Sequence, residues 1–131
     1  MICISQHGPA GTLFDLNAFL DDVAAFVDVD QWQVSVEQCL GENALRIEAQ
    51  TFPEPALFDP AELRALYRGI YQTIDGLFTG LRDGRPQCEL VAVDSSFWEV
   101  SGPPQFEAHM QHKYGLHGHG GAAPEGRRDK E

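Results

Sequence analysis

Four histidines crowd the C-terminal end of this chain. His109, His112, His117 and His119 fall within one short stretch, and His109 and His112 stand one helical turn apart. Imidazoles at that spacing can share a zinc or nickel ion. Two of the four, however, lie in a glycine-rich segment that nothing orders, with no cysteine nearby. The expectation is a solvated set, with no metal and no other cofactor. Asp94-Ser95-Ser96 is a second arrangement with chemical potential. A strand that ends in a carboxylate followed by hydroxyls can present a nucleophile. Serine then needs a base, and only His7, His109 and His112 lie outside the tail. There is no GxSxG elbow. Asp and Ser also form turns through local hydrogen bonds, which is the plainer reading of this triplet. Asp21, Asp22, Asp28 and Asp30 offer oxygens to a hard cation. They lack the ligand order and the glycine of an EF-hand, so a solvated face is expected. No P-loop, GxGxxG or HExxH motif occurs.

The tryptophans point to binding. Trp32 and Trp98 each fall in an expected strand beside acids: Asp28 and Asp30 for the first, Glu99 for the second. A tryptophan flanked by carboxylates is an anchor for a basic partner. The candidate partner-binding residues are therefore Asp28, Asp30 and Trp32 at one edge, and Asp94, Trp98 and Glu99 at the other. This choice requires that both indoles be exposed.

Charge supports such a partner. Nine Lys and Arg face twenty Asp and Glu, a formal net charge of −11. In Gly115–Glu131 three basic residues balance three acidic ones, so the excess resides in the part expected to fold. That surface repels nucleic acid and anionic membranes and attracts cations over long range. Acidity that serves only solubility is the plainer alternative. Cys3, Cys39 and Cys88 form no CxxC pair and read as reduced thiols. Met1–His7 lacks the character of a signal peptide, and no stretch reaches the length of a membrane span. A cytoplasmic location is expected.

The elements that must position these residues follow from periodicity. Met1–Ser5 reads as a short strand, and Gly8-Pro9-Ala10-Gly11 as a turn. Leu16, Phe19, Leu20, Val23, Phe26 and Val27 recur at helical spacing, predicting a helix over 15–27 with Asp15 at its N-cap. Trp32, Val34 and Val36 alternate as in a strand, and Leu45, Ile47, Ala49 and Thr51 alternate again after Gly41-Glu42. A hairpin over Gln31–Phe52 follows. Its register sets Val36 opposite Ile47, Val34 opposite Ala49 and Glu37 opposite Arg46. Asp59-Pro60 with Glu62 is a capping box, predicting one long helix over Asp59–Leu81. Its small-residue stripe would be Gly69, Thr73, Gly76 and Gly80. Asp83-Gly84-Arg85-Pro86 breaks the chain. Leu90-Val91-Ala92-Val93 suits a central strand buried on both faces. Phe97–Val100 makes a further strand, and a short last helix around Phe106–Tyr114 closes at Gly115. The predicted fold is a single α+β domain over 1–115, with a mainly antiparallel sheet and helices packed on it. The predicted core holds Trp32, Val34, Ile47, Leu66, Ile70, Ile74 and Val91. Residues 116–131 read as a disordered tail.

The run Val93-Asp94-Ser95-Ser96-Phe97-Trp98-Glu99-Val100, followed by a short helix ending in Tyr114-Gly115, resembles the C-terminal part of small acidic immunity proteins. These belong to bacterial polymorphic or contact-dependent toxin systems. The resemblance implies a cytosolic inhibitor that binds a cognate toxin directly. It singles out no one family and carries no binding residue over. A nuclease toxin suits the charge, because its cleft must accept a polyanion. Two other functions compete with this one. One is a small enzyme or ligand-binding domain built on Asp94-Ser95-Ser96, and the other is a metal-handling protein using the C-terminal histidines.

Overall fold

The computed structural model describes residues 1–115. The expected tail, with His117 and His119, lies outside the described residues. Six strands form one sheet: β1 (Ile2–Ser5), β2 (Gln31–Gly41), β3 (Ala56–Phe58), β4 (Ile70–Arg82), β5 (Arg85–Val93) and β6 (Phe97–Ser101). Four α-helices accompany them: α1 (Leu16–Phe26), α2 (Ala44–Thr51), α3 (Pro60–Tyr67) and α4 (Pro104–Tyr114). The strand order is β1-β6-β5-β4-β2-β3, and every neighbouring pair is antiparallel. The fold is α+β, as expected.

The core lies between the helices and one face of the sheet. Three cross-strand rows build that face: Trp32-Gly80-Cys88, Val34-Phe78-Leu90-Val100 and Val36-Gly76-Ala92-Trp98-Ile4. Leu16, Phe19, Leu20 and Val23 of α1, Ile47 of α2, Leu63 and Tyr67 of α3, and Phe106, Met110 and Tyr114 of α4 join the same apolar cluster. Phe19 meets the Trp98 ring edge-on with centroids 5.1 Å apart. Such aromatic pairs add stabilisation beyond their buried area.

Several expectations hold. Strand β1, helix α1 and the short last helix stand where periodicity placed them. The capping box at Asp59 is formed: its carboxylate accepts from the Glu62 N–H at 2.7 Å, and Glu62 accepts from the Asp59 N–H at 2.8 Å.

The second half of the expected hairpin is a helix. Residues 44–51 form α2, and Val36 and Val34 pair with Gly76 and Phe78 of β4 instead of Ile47 and Ala49. Glu37 and Arg46 are not cross-strand partners. Ala44-Leu45-Arg46-Ile47-Glu48-Ala49-Gln50 is almost entirely strong helix formers. Its period-2 alternation coexists with a helical stripe at Ala44, Ile47 and Thr51, and the helical stripe faces the core. Gly41 makes the turn out of β2 at φ 135°, and a Cβ there would overlap the Gly69 carbonyl oxygen.

The expected long helix stops at Tyr67, and residues 70–82 form β4. Ile70, Tyr71, Thr73, Ile74, Phe78 and Thr79 favour strands, while Gly69, Gly76 and Gly80 each weaken a helix. Gly76 and Gly80 are therefore strand positions and not a helical stripe. At Gly80 a Cβ would crowd the Cys88 sulfur and Val29, across the sheet from Trp32.

Of the predicted core, Trp32, Val34, Ile47 and Ile70 are buried, whereas Leu66, Ile74 and Val91 are half-buried. The apolar run in β5 is buried on one face only. Leu90 and Ala92 point to the helices, and Val91 and Val93 to the other side.

Candidate functional site

That other side of the sheet carries no helix of the described residues. Its central row is Ser35-Leu77-Val91-Glu99-Cys3, flanked by Leu57-Gln33-Thr79-Glu89-Ser101 and by Val93-Phe97-Ser5. Leu57 and Leu77 are exposed, and Val91, Val93 and Phe97 are half-buried. An antiparallel sheet can leave one face to water, and the wet face is then polar at alternate positions. Here Leu77 and Val91 of the central row, with Val93 and Phe97 of the next, form an apolar patch in that face, and Ser35 and Glu99 share the central row. Glu89 and Glu99 stand beside it, and Asp75 pairs with Gln38 at one end, accepting from the Asp94 N–H at 2.9 Å.

No Lys or Arg occupies any of the three rows. The six cations among the described residues lie elsewhere. Arg46 is on α2, Arg64 on α3, Arg68 at its C-cap, Lys113 on α4, and Arg82 and Arg85 flank the β4–β5 turn. Among the described residues, the three rows of the open face thus carry carboxylates and no Lys or Arg, and the cations lie on the helices and at the β4–β5 turn.

The residues singled out from the sequence do not come together. Trp32 and Trp98 are buried at 2 % and 0 % exposure, so neither serves as a contact; this corrects the expectation that they were anchors. Their even spacing within the strands places both on the helix-covered face. The Trp98 indole N–H donates to the Phe14 carbonyl at 3.1 Å. Asp28 and Asp30 precede β2 and gather around Arg82 at 2.9 and 3.8 Å. Asp30 also accepts from the Asp83 N–H. The Asp28 carboxylate, with Asp83 and Asp30, raises the Arg82 pKa. Asp94 sits at the β5–β6 turn, the opposite end of β5, about 30 Å away for a nine-residue strand. Only Glu99 lies on the open face. Asp75, Leu77, Glu89, Val93 and Phe97 were missed. The alternation Glu89-Val91-Val93 carried the signal, but the unbroken run Leu90–Val93 read as a strand covered on both sides.

Asp94-Ser95-Ser96 is a turn. Asp94 and Ser95 both have positive φ, 49° and 57°, as the tight turns that join twisted strands require. The Ser96 hydroxyl donates to the Asp94 carbonyl, and the His7 ring meets the Ser95 carbonyl oxygen at 3.1 Å, not its hydroxyl. No group of three or more His, Cys, Asp or Glu among the described residues is placed to hold a metal ion.

Two buried aspartates are structural. Asp22 on α1 receives His109 Nε2 at 2.7 Å, Lys113 Nζ at 2.9 Å and the Tyr114 hydroxyl, tying α1 to α4. Burial pushes its carboxyl up, but these partners outweigh that and hold it below the usual range. His109 is therefore a partner of Asp22, and not the solvated side chain that was expected. Asp15 stands at the N-cap of α1 but does not cap it. It accepts from the Thr73 N–H at 2.8 Å, and its other oxygen faces the Thr73 hydroxyl at 3.3 Å. Burial raises its pKa to about 6. Burial likewise pushes the Cys39 and Cys88 thiols up to about 11, which makes both poor nucleophiles.

No helix among the described residues is long and apolar enough to cross a membrane. Compared with known proteins, the chain matches no family model, no curated protein and no solved structure.

Proposed function

We propose that this protein is an immunity-type inhibitor, a cytosolic acidic module that neutralises a basic toxin by binding it directly through the open face of the sheet. The observation that carries this reading is the composition of that face. An apolar centre of Leu77, Val91, Val93 and Phe97 is edged by Asp75, Glu89 and Glu99, with no cation in its three rows. Apolar surface left in water is what a docking partner covers. Carboxylates around it steer a cation-bearing partner and set its orientation. The sheet is a rigid platform, so little ordering entropy opposes association. A nuclease toxin is a fitting target, since a cleft made for a polyanion presents the complementary field.

The test is co-expression with the protein encoded directly upstream. That neighbour is expected to be toxic alone and harmless beside this chain. The double variant Glu89→Lys, Glu99→Lys should lose protection while keeping its fold. The parent association rate should exceed the unsteered ~10⁵–10⁶ M⁻¹s⁻¹ and fall with salt. A harmless neighbour, or full protection by the double variant, would refute the reading.

A further inference from the structure

Strand β2 is eleven residues long, but β3 pairs only with its first part, Trp32 to Val34. Beyond Val34 its outer edge is met by α2. Side chains of α2 take two of the donors left there. Thr51 Oγ1 accepts from the Val36 N–H at 2.9 Å, and Glu48 Oε2 accepts from the Cys39 N–H at 3.0 Å. A helix about 10 Å across cannot lie as close to a strand edge as a strand spaced at about 4.8 Å. The mismatch leaves an open groove of about 530 Å³, walled by Glu37, Gln38, Leu40, Ala44, Leu45 and Glu48. Leu45 is 82 % exposed, more than any other large apolar side chain among the described residues. Two carboxylates line the groove, and no Lys or Arg does.

We propose that this groove receives a lysine or arginine side chain of the protein partner, with its aliphatic stem on Leu40, Ala44 and Leu45 and its charged head at Glu37 and Glu48. Long basic side chains bury their methylenes on apolar surface while the head stays with water and anions, and the groove offers both surfaces side by side. The occupant is a protein side chain because the groove's two carboxylates, with no cation among its lining, complement the charge of the basic protein proposed above. This inference rests on the reading of the partner as a basic protein. It adds a contact at the sheet edge, outside the three rows of the open face.

N-acetyl-leucyl-arginine amide is the probe, titrated into ¹⁵N-labelled protein. Saturable amide shifts are expected at Gln38, Leu40, Ala44 and Leu45 in the millimolar range. Glu37→Gln and Leu45→Ser should each weaken binding about fivefold, the effect of losing one exposed charge or apolar contact. Both positions are exposed, so an unchanged melting temperature checks that each variant folds. N-acetyl-leucyl-glutamate amide should give no shift. The proposal is overturned by absent groove shifts, or by unchanged affinity in both variants. It is also overturned if 1,5-diaminopentane saturates the groove at lower concentration than the peptide, which marks a free-amine site. The protection test with Glu89→Lys, Glu99→Lys reads the other face. Groove shifts that persist while protection fails to depend on that face refute the inhibitor reading alone.

Discussion

The two faces of the sheet are made from the same strands, yet they differ in what they ask of a side chain. On the helix-covered face, Trp98, Val34, Phe78 and Leu90 lose all contact with water and are packed from every side. One residue away along each strand, Glu99, Ser35, Leu77 and Val91 lie in the open rows. A one-residue step in a strand reverses the face. The covered face therefore carries stability. The open face, without helices over it, keeps the apolar side chains Leu77, Val91, Val93 and Phe97 exposed or half-buried, which is the feature on which the proposed docking rests.

Substitution of neighbours in β6 should break this comparison most sharply. Trp98→Ala removes a fully buried indole and its edge contact with Phe19, and should cost about 3–5 kcal/mol in urea denaturation. If Trp98→Ala unfolds no more easily than the parent, the covered face is not the core.

The buried aspartates sharpen the contrast within the covered side. Asp15 has a folded pKa of about 6 against 3.8 in the unfolded chain. A raised carboxyl favours the protonated form. Its contribution to stability is full below pH 3.8, declines as pH rises to about 6 and is flat above. The difference of roughly two units corresponds to about 3 kcal/mol. Asp15→Asn keeps the acceptor for the Thr73 N–H and carries no charge. It should be more stable than the parent by up to about 3 kcal/mol at pH 8, with the gain gone at pH 4. Denaturation at the two pH values reads this directly, and an equal effect at both would contradict it.

Asp22 should behave oppositely. Its folded pKa is lowered, so its contribution is present above pH 3.8 and is lost as pH falls through the folded value. Asp22→Asn weakens three hydrogen bonds, two of them to cationic or protonatable groups, and should cost about 2 kcal/mol at pH 7. The loss should shrink in acid. A loss that grows in acid would show that Asp22 is not ionised in the fold.

The smallest stability effect belongs to the open face. Glu89→Lys with Glu99→Lys should shift unfolding by no more than about 0.5 kcal/mol, as for surface substitutions generally, while abolishing association with the proposed basic partner. A large destabilisation would mean that this face is structural after all.

Local signals determined the elements that they fully specify. The Asp59-Pro60-Glu62 capping box, the spacing of Leu16 through Phe26 and the alternation of Trp32, Val34 and Val36 act between residues a few positions apart, and each appears as read. Charge is a sum over the chain, so the acidic character was also legible. Where two periods were both satisfied, at 44–51, or where a helix start ran on into residues 70–82, the outcome depended on partners distant in sequence. The edge of β2 takes α2 as its neighbour beyond Val34, and β4 takes β2 and β5 on either side. The candidate site was hidden for the same reason. Whether Trp98 or Glu99 meets water is decided by which side of the sheet the helices occupy. That side is chosen by long-range packing, which no stretch of sequence contains.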